Sequence, residues 1–83
     1  MAGPRRRRLG PDPTMPEIAR IGRAFADRRI ALRLTQQTLA DLAGVSRSTV
    51  QALERGRGSV KFASVIEIAE ALGMRIEIGV ASL

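Results

Sequence analysis

The sequence predicts an all-α domain of four to five helices that ends in a single β-strand. Three observations carry that prediction. Between Thr35 and Gly56, two short apolar-periodic segments each follow a hydroxyl residue and are separated by Gly44. From Lys61 to Leu72, apolar residues recur at helical spacing and stop at Gly73. From Met74 to Val80 the spacing changes to period two, with apolar residues at 74, 76, 78 and 80.

The totals narrow the chemistry. At 83 residues the chain holds one small domain. Phe25 and Phe62 are its only aromatic residues, so the core must be aliphatic. With no Cys there is no disulfide or thiol chemistry, which fits a reducing cytoplasm. With no His as well, a zinc site and the usual general base are missing, and no cofactor is expected. A net charge of +6 and a pI of about 11.7 favour a polyanionic partner, nucleic acid before membrane. No apolar run approaches a membrane span. The basic start has no apolar segment behind it, unlike a secretory signal.

Residues 1–16 read as a disordered basic arm holding all four prolines and the run Arg5–Arg8. Two readings stand side by side. The arm lies on phosphates or in a minor groove, or it is an upstream extension and Met15 is the natural start. Residues 17–73 form the folded domain, and residues 74–83 the strand and tail.

The first helix is expected over Pro16–Leu34. Pro16 suits its first position, and Glu17 favours the positive end of the helix dipole. Ile18, Ile21, Phe25 and Leu32 mark one face, which Arg28 interrupts. Thr35 caps a second helix over Gln36–Ala43, which Gly44 ends. Val45 plugs the turn and Ser46 caps a third helix, with Val50 and Leu53 on its buried side. Small Ala40 opposite Val50 lets these two helices cross closely. The loop Gly56-Arg57-Gly58-Ser59 leads to a fourth helix with the stripe Phe62, Val65, Ile66, Ala69 and Leu72. A lone strand at Met74–Val80 leaves its backbone unpaired, so its simplest partner is the same strand of a second copy. The alternative is a short extended tail packed on its own subunit.

The outer face of the third helix is Arg47, Ser48, Thr49, Gln51 and Arg55. It lacks the Glu/Lys alternation of an ordinary solvated surface, and its side chains are types that read base edges or hold phosphates. Arg47 can grip guanine with two hydrogen bonds, and Ser48, Thr49 and Gln51 can reach bases or the adjacent backbone. Arg55 and Arg57 are expected on phosphates.

The stretch TQQTLADLAGVSRSTVQALERG resembles the phage-repressor/Cro class of helix-turn-helix. The match covers Ala40, Gly44, the apolar residues at 39, 45, 50 and 53, the L-T-Q opening and the L-E-x-G closing. The ending V-K-F-A-S-V-I-E-I-A-E-A-L-G-M-R-I-E-I is similar to that of HipB-type antitoxins and their stand-alone regulator relatives. The resemblance runs from about Ile18 to Val80. It implies a lambda-repressor-like domain whose C-terminal strand pairs across a homodimer through Met74, Ile76, Ile78 and Val80. It also implies a repressor that binds a palindromic operator, controls its own operon and works in the cytoplasm at the nucleoid. A toxin partner, such as a HipA-like kinase, is implied by that resemblance alone. By the same likeness Gln36 meets a phosphate, and Arg29 pairs with Glu54 as a structural link. Many relatives carry Gly just before L-T-Q where this chain has Arg33. If that position needs a positive φ, Arg is a poor occupant; otherwise the first helix ends differently, with Arg33 near the phosphates.

Other classes fit less well. The same fold can serve as a protein-interaction module. A membrane-surface peptide needs a basic amphipathic helix, and the arm is too rich in Pro and Gly for one. An enzyme would need a nucleophile–base pair or a phosphate-cradling Gly loop, and the sequence shows neither.

Overall fold

The structure, a computed structural model, describes residues 15–82. The expected arm lies outside the described residues, apart from Met15 and Pro16. The described residues hold four helices: α1 (Pro16–Ala31), α2 (Gln36–Ala43), α3 (Arg47–Glu54) and α4 (Phe62–Ala71). None is long and apolar enough to cross a membrane. The helix α1 packs on α3, and α2 packs on both α3 and α4.

The starts follow local chemistry. Pro16 opens α1, where its missing N–H is no loss. The hydroxyl of Thr35 accepts the Thr38 N–H at 3.0 Å, and that of Ser46 accepts the Thr49 N–H at 3.1 Å. Each satisfies one donor that the first turn leaves open.

All four helices stop in the same way. In α2 the Val45 N–H returns to the Ala40 carbonyl, and in α3 the Arg57 N–H returns to Ala52. In α4 the Met74 N–H returns to Ala69, and after α1 the Leu34 N–H returns to Arg29. Each return puts one residue in the left-handed region: Gly44, Gly56, Gly73 and, after α1, Arg33 with φ 60°. The expectation that α1 runs to Leu34 is therefore corrected. It ends at Ala31, because the chain must turn at Arg33 to bring Thr35 into its capping position.

The core is Phe25, Leu39, Ala40, Val50, Leu53, Ile68, Ala69 and Leu72. Ala40 and Val50 are both fully buried, as a close α2–α3 crossing needs. Two expected stripes are only partly buried. On α1, Phe25 is inside and Ile18 half-buried, while Ile21 and Leu32 are exposed. On α4, Phe62 is 67% exposed and the unanticipated Ile68 takes a core place. The reason is that α1 covers α3 and leaves the start of α4 uncovered. Leu42 also faces outward.

The expected strand is not one in this single chain. Met74 is half-buried against the core, but residues 75–82 run on with no ladder. A strand exists through its hydrogen bonds to a neighbour, and no second strand lies among the described residues.

Candidate nucleic-acid interface

Two devices fix the short helix α3. The first is Gly22, buried in the middle of α1. A Cβ there would run into the Leu53 carbonyl and stand 3.1 Å from both the Glu54 carbonyl and the Gly56 nitrogen. Backbone therefore meets backbone where α1 crosses the end of α3. The sequence reading missed this residue. Its signal was a glycine inside an apolar-periodic helix, which needs a packing reason.

The second device is a polar network. Arg29 Nε donates to Glu54 Oε2 at 2.6 Å, and Nη2 donates to Oε1 at 3.1 Å. Arg29 Nη1 donates to the Leu34 carbonyl at 2.8 Å, holding the turn between α1 and α2. The bond to Glu54 pushes the Arg29 guanidinium above its ordinary value against the opposing effect of burial, so it stays charged. Glu54 Oε1 also accepts from Gln36 Nε2 at 3.0 Å, and Gln36 Oε1 accepts from Gln51 Nε2 at 3.4 Å. An ionised carboxylate only accepts, so the Gln36 nitrogen must face it. That turns the Gln36 carbonyl towards Gln51 and orients both amides.

The network shows where the expected contact residues sit. Arg47 and Ser48 are exposed on the first turn of α3, and Arg55 is exposed at its end. Thr49 and Gln51 are half-buried. The hydroxyls of Ser48 and Thr49 lie 3.0 and 2.8 Å from Ser46 Oγ, so both lean on the cap. Gln36 sits beside Gln51, at the start of α2. Arg33 is exposed in the preceding turn. Arg57 does not join this group. It is half-buried in a separate apolar groove beside α1 and α4, with a buried Nε that has no acceptor among the described residues.

Two further residues were missed. Arg28, read as an interruption of the α1 stripe, donates from Nε to the Leu72 carbonyl at 2.9 Å and ties α1 to the end of α4. Lys61 stands with Ser59 and Ser64 in a cleft shared with Ser46, Ser48 and Thr49. It brings a cation to the flank of α3. A basic residue just before a helix start was the available signal.

A short helix held by its back, with a polar hydrogen-bonding face turned out, defines a DNA-binding domain rather than a catalytic one. Comparison with known proteins agrees. A family model described as helix-turn-helix matches residues 25–78, and the chain belongs to that family, in its Cro/CI-type form. A protein of Rhodospirillum rubrum named as an uncharacterized transcriptional regulator in the ATPase CF(0) region is 41% identical over 59 residues. That match takes in 71% of this chain and 55% of the relative, so the chain spans little more than half of that protein. An uncharacterized HTH-type transcriptional regulator of Methanothermobacter thermautotrophicus is 47% identical over 47 residues, 57% of this chain and 68% of its own. The crystal structure of the restriction-modification controller protein C.AhdI from Aeromonas hydrophila matches with a TM-score of 0.66 at 33% identity. It covers 72% of this chain and 91% of the controller.

Proposed function

We propose that this chain is a homodimeric transcriptional regulator that binds a palindromic operator through α3. The observation that carries the reading is the clamp on α3 by Gly22 and by the Arg29–Glu54–Gln36–Gln51 network. A recognition helix must hold its orientation when it meets a groove, and this one is fixed at both backbone and side-chain level. In this reading Arg47 reads a base, and Ser48, Thr49 and Gln51 contact bases or the adjoining backbone. Gln36, Arg33, Arg55 and Lys61 hold phosphates around them. Arg57 is left out, because it lies in the groove beside α1.

One recognition helix covers too few base pairs for useful selectivity. Two copies on a two-fold axis read half-sites one helical turn apart, roughly 34 Å. Met74, Ile76, Ile78 and Val80 are proposed as part of the joint. The likeness to a restriction-modification controller and to proteins named transcriptional regulators favours a stand-alone regulator. The antitoxin reading rests on the A-L-G-M-R-I-E-I ending. A kinase-like reading frame beside the gene, and a complex that co-purifies with its product, would support it.

The test is footprinting on DNA from upstream of the chain's own gene, followed by a salt titration on the protected site. We expect a symmetric footprint of two half-sites. Affinity should fall linearly with salt on logarithmic axes, with a slope set by the phosphate contacts. Equal affinity for the protected site and for random DNA would overturn sequence-specific regulation.

A further inference from the structure

We infer that the groove beside α1 receives the C-terminal segment of a second copy of this chain, each copy placing its segment in the other's groove. The proposal deepens the homodimer reading and rests on it.

The groove has a volume of about 480 Å³ and is walled by Ile18, Ile21, Phe25, Val60, Phe62 and Val65. Its rim is unusually open for so apolar a surface. Phe62 is 67% exposed and Ile21 46%, although each shares its stripe with a core residue, Leu72 and Phe25 respectively. On its other side the same chain carries a matching segment with nothing to bind. Ile76 lines the groove edge, and the chain then runs on with Ile78 at 92% and Val80 at 101% exposure. Two residues apart, they share one apolar face when the segment is laid out as a strand.

The groove wall also carries two charged side chains, Arg57 and Glu77. The Nε of Arg57 is buried with no acceptor among the described residues. An extended segment laid in the groove brings backbone carbonyls and N–H groups that can meet the exposed parts of both side chains. A purely apolar occupant could not. Groove and segment share one surface of one molecule. A two-fold exchange therefore fills both grooves and leaves neither segment over, the closed arrangement of an isologous interface.

The arrangement differs from a ribbon in which the two segments pair only with each other, and the absence of cysteine lets the two be separated. Phe62→Cys and Ile78→Cys are made in separate preparations. Both positions are exposed, and circular dichroism checks that both variants fold. The preparations are mixed, allowed to exchange subunits and mildly oxidised. We expect the mixed disulfide, joining position 62 of one copy to position 78 of the other, to dominate over either homodisulfide. A wild type that sediments as a dimer, with only the Ile78→Cys homodisulfide or no disulfide at all, overturns the groove exchange and leaves the dimer standing. A wild type that stays monomeric at micromolar concentration overturns the dimer itself. As a second readout, Ile78→Asp should sediment as a monomer that keeps its helical circular dichroism, because Ile78 is almost wholly exposed in its own subunit. Persistence of the dimer in that variant also sinks the exchange.

Discussion

Arg29 of α1 and Glu54 of α3 hold each other by two hydrogen bonds, with side chains only 15% and 8% exposed. The pair spans the α1–α2 turn through the Leu34 carbonyl and reaches the outer face of α3 through Gln36. Glu54→Ala should cost about 3 kcal/mol in urea denaturation, because it leaves a half-buried guanidinium without its carboxylate. Arg29 cannot escape by losing its proton, since its raised value keeps it charged far above neutral pH. The bond's contribution is present below the ordinary arginine range and lost only above it, so stability near neutrality should show no pH dependence from this guanidinium. The double variant Arg29→Met, Glu54→Leu should recover most of the loss. A double variant no more stable than Glu54→Ala would show that the damage lies elsewhere.

Gly22→Ala tests the backbone contact between α1 and α3. Alanine is the better helix former by about 1 kcal/mol. Here its methyl would have to displace the Leu53 carbonyl, and the net effect should be a loss of about 2 kcal/mol. Gly79→Ala is the control, since its added methyl meets nothing within 4 Å. Thermal melts should separate the two clearly. A neutral Gly22→Ala would mean that the helices part at no cost, contrary to the fixed α3.

Arg33→Gly should raise stability and lower DNA affinity together. The left-handed backbone at Arg33 costs an L-residue about 1 kcal/mol, and glycine removes that cost. Such a residue is expected where its side chain serves a purpose. Loss of a phosphate contact should weaken cognate and random DNA alike and lower the salt slope by about one. A stabilised variant with unchanged affinity at every salt concentration would remove Arg33 from the interface.

Arg47→Ala addresses readout. It should lose about 1–3 kcal/mol on the operator and relax preference at one base position. Selection of binding sites from a random pool, carried out on both proteins, reveals the position. An unchanged preference at every position would reassign Arg47 to the phosphates.

The sequence was most legible where local chemistry decides structure. The hydroxyls of Thr35 and Ser46 and the glycines at 44 and 73 set ends of α2, α3 and α4 without help from the rest of the molecule. The Arg29–Glu54 pair was expected from family likeness, not from spacing. What depends on distant packing was harder to see. Phe62 and Ile68 are both apolar on α4, and only the packing of α4 on α2, with α1 lying elsewhere, decides which is buried. Gly22 and Arg28 act through the carbonyls of Leu53 and Leu72, which are remote in sequence. The tail pattern was read as a strand, but period two establishes only a segment fit for pairing, and pairing needs another backbone.

The backbone contact at Gly22 has a consequence for how such a protein changes its target. Because α1 grips α3 by main-chain atoms, the orientation of α3 does not depend on its outward side chains. Only Val50 and Leu53 of its eight residues are buried. The outer positions 47, 48 and 55 are exposed and can be rewritten without refitting the scaffold beneath them. Position 51 is the exception, since its partner Gln36 is already engaged by Glu54. A designer grafting a new operator preference onto this domain would have three open positions and one that must be changed as a pair.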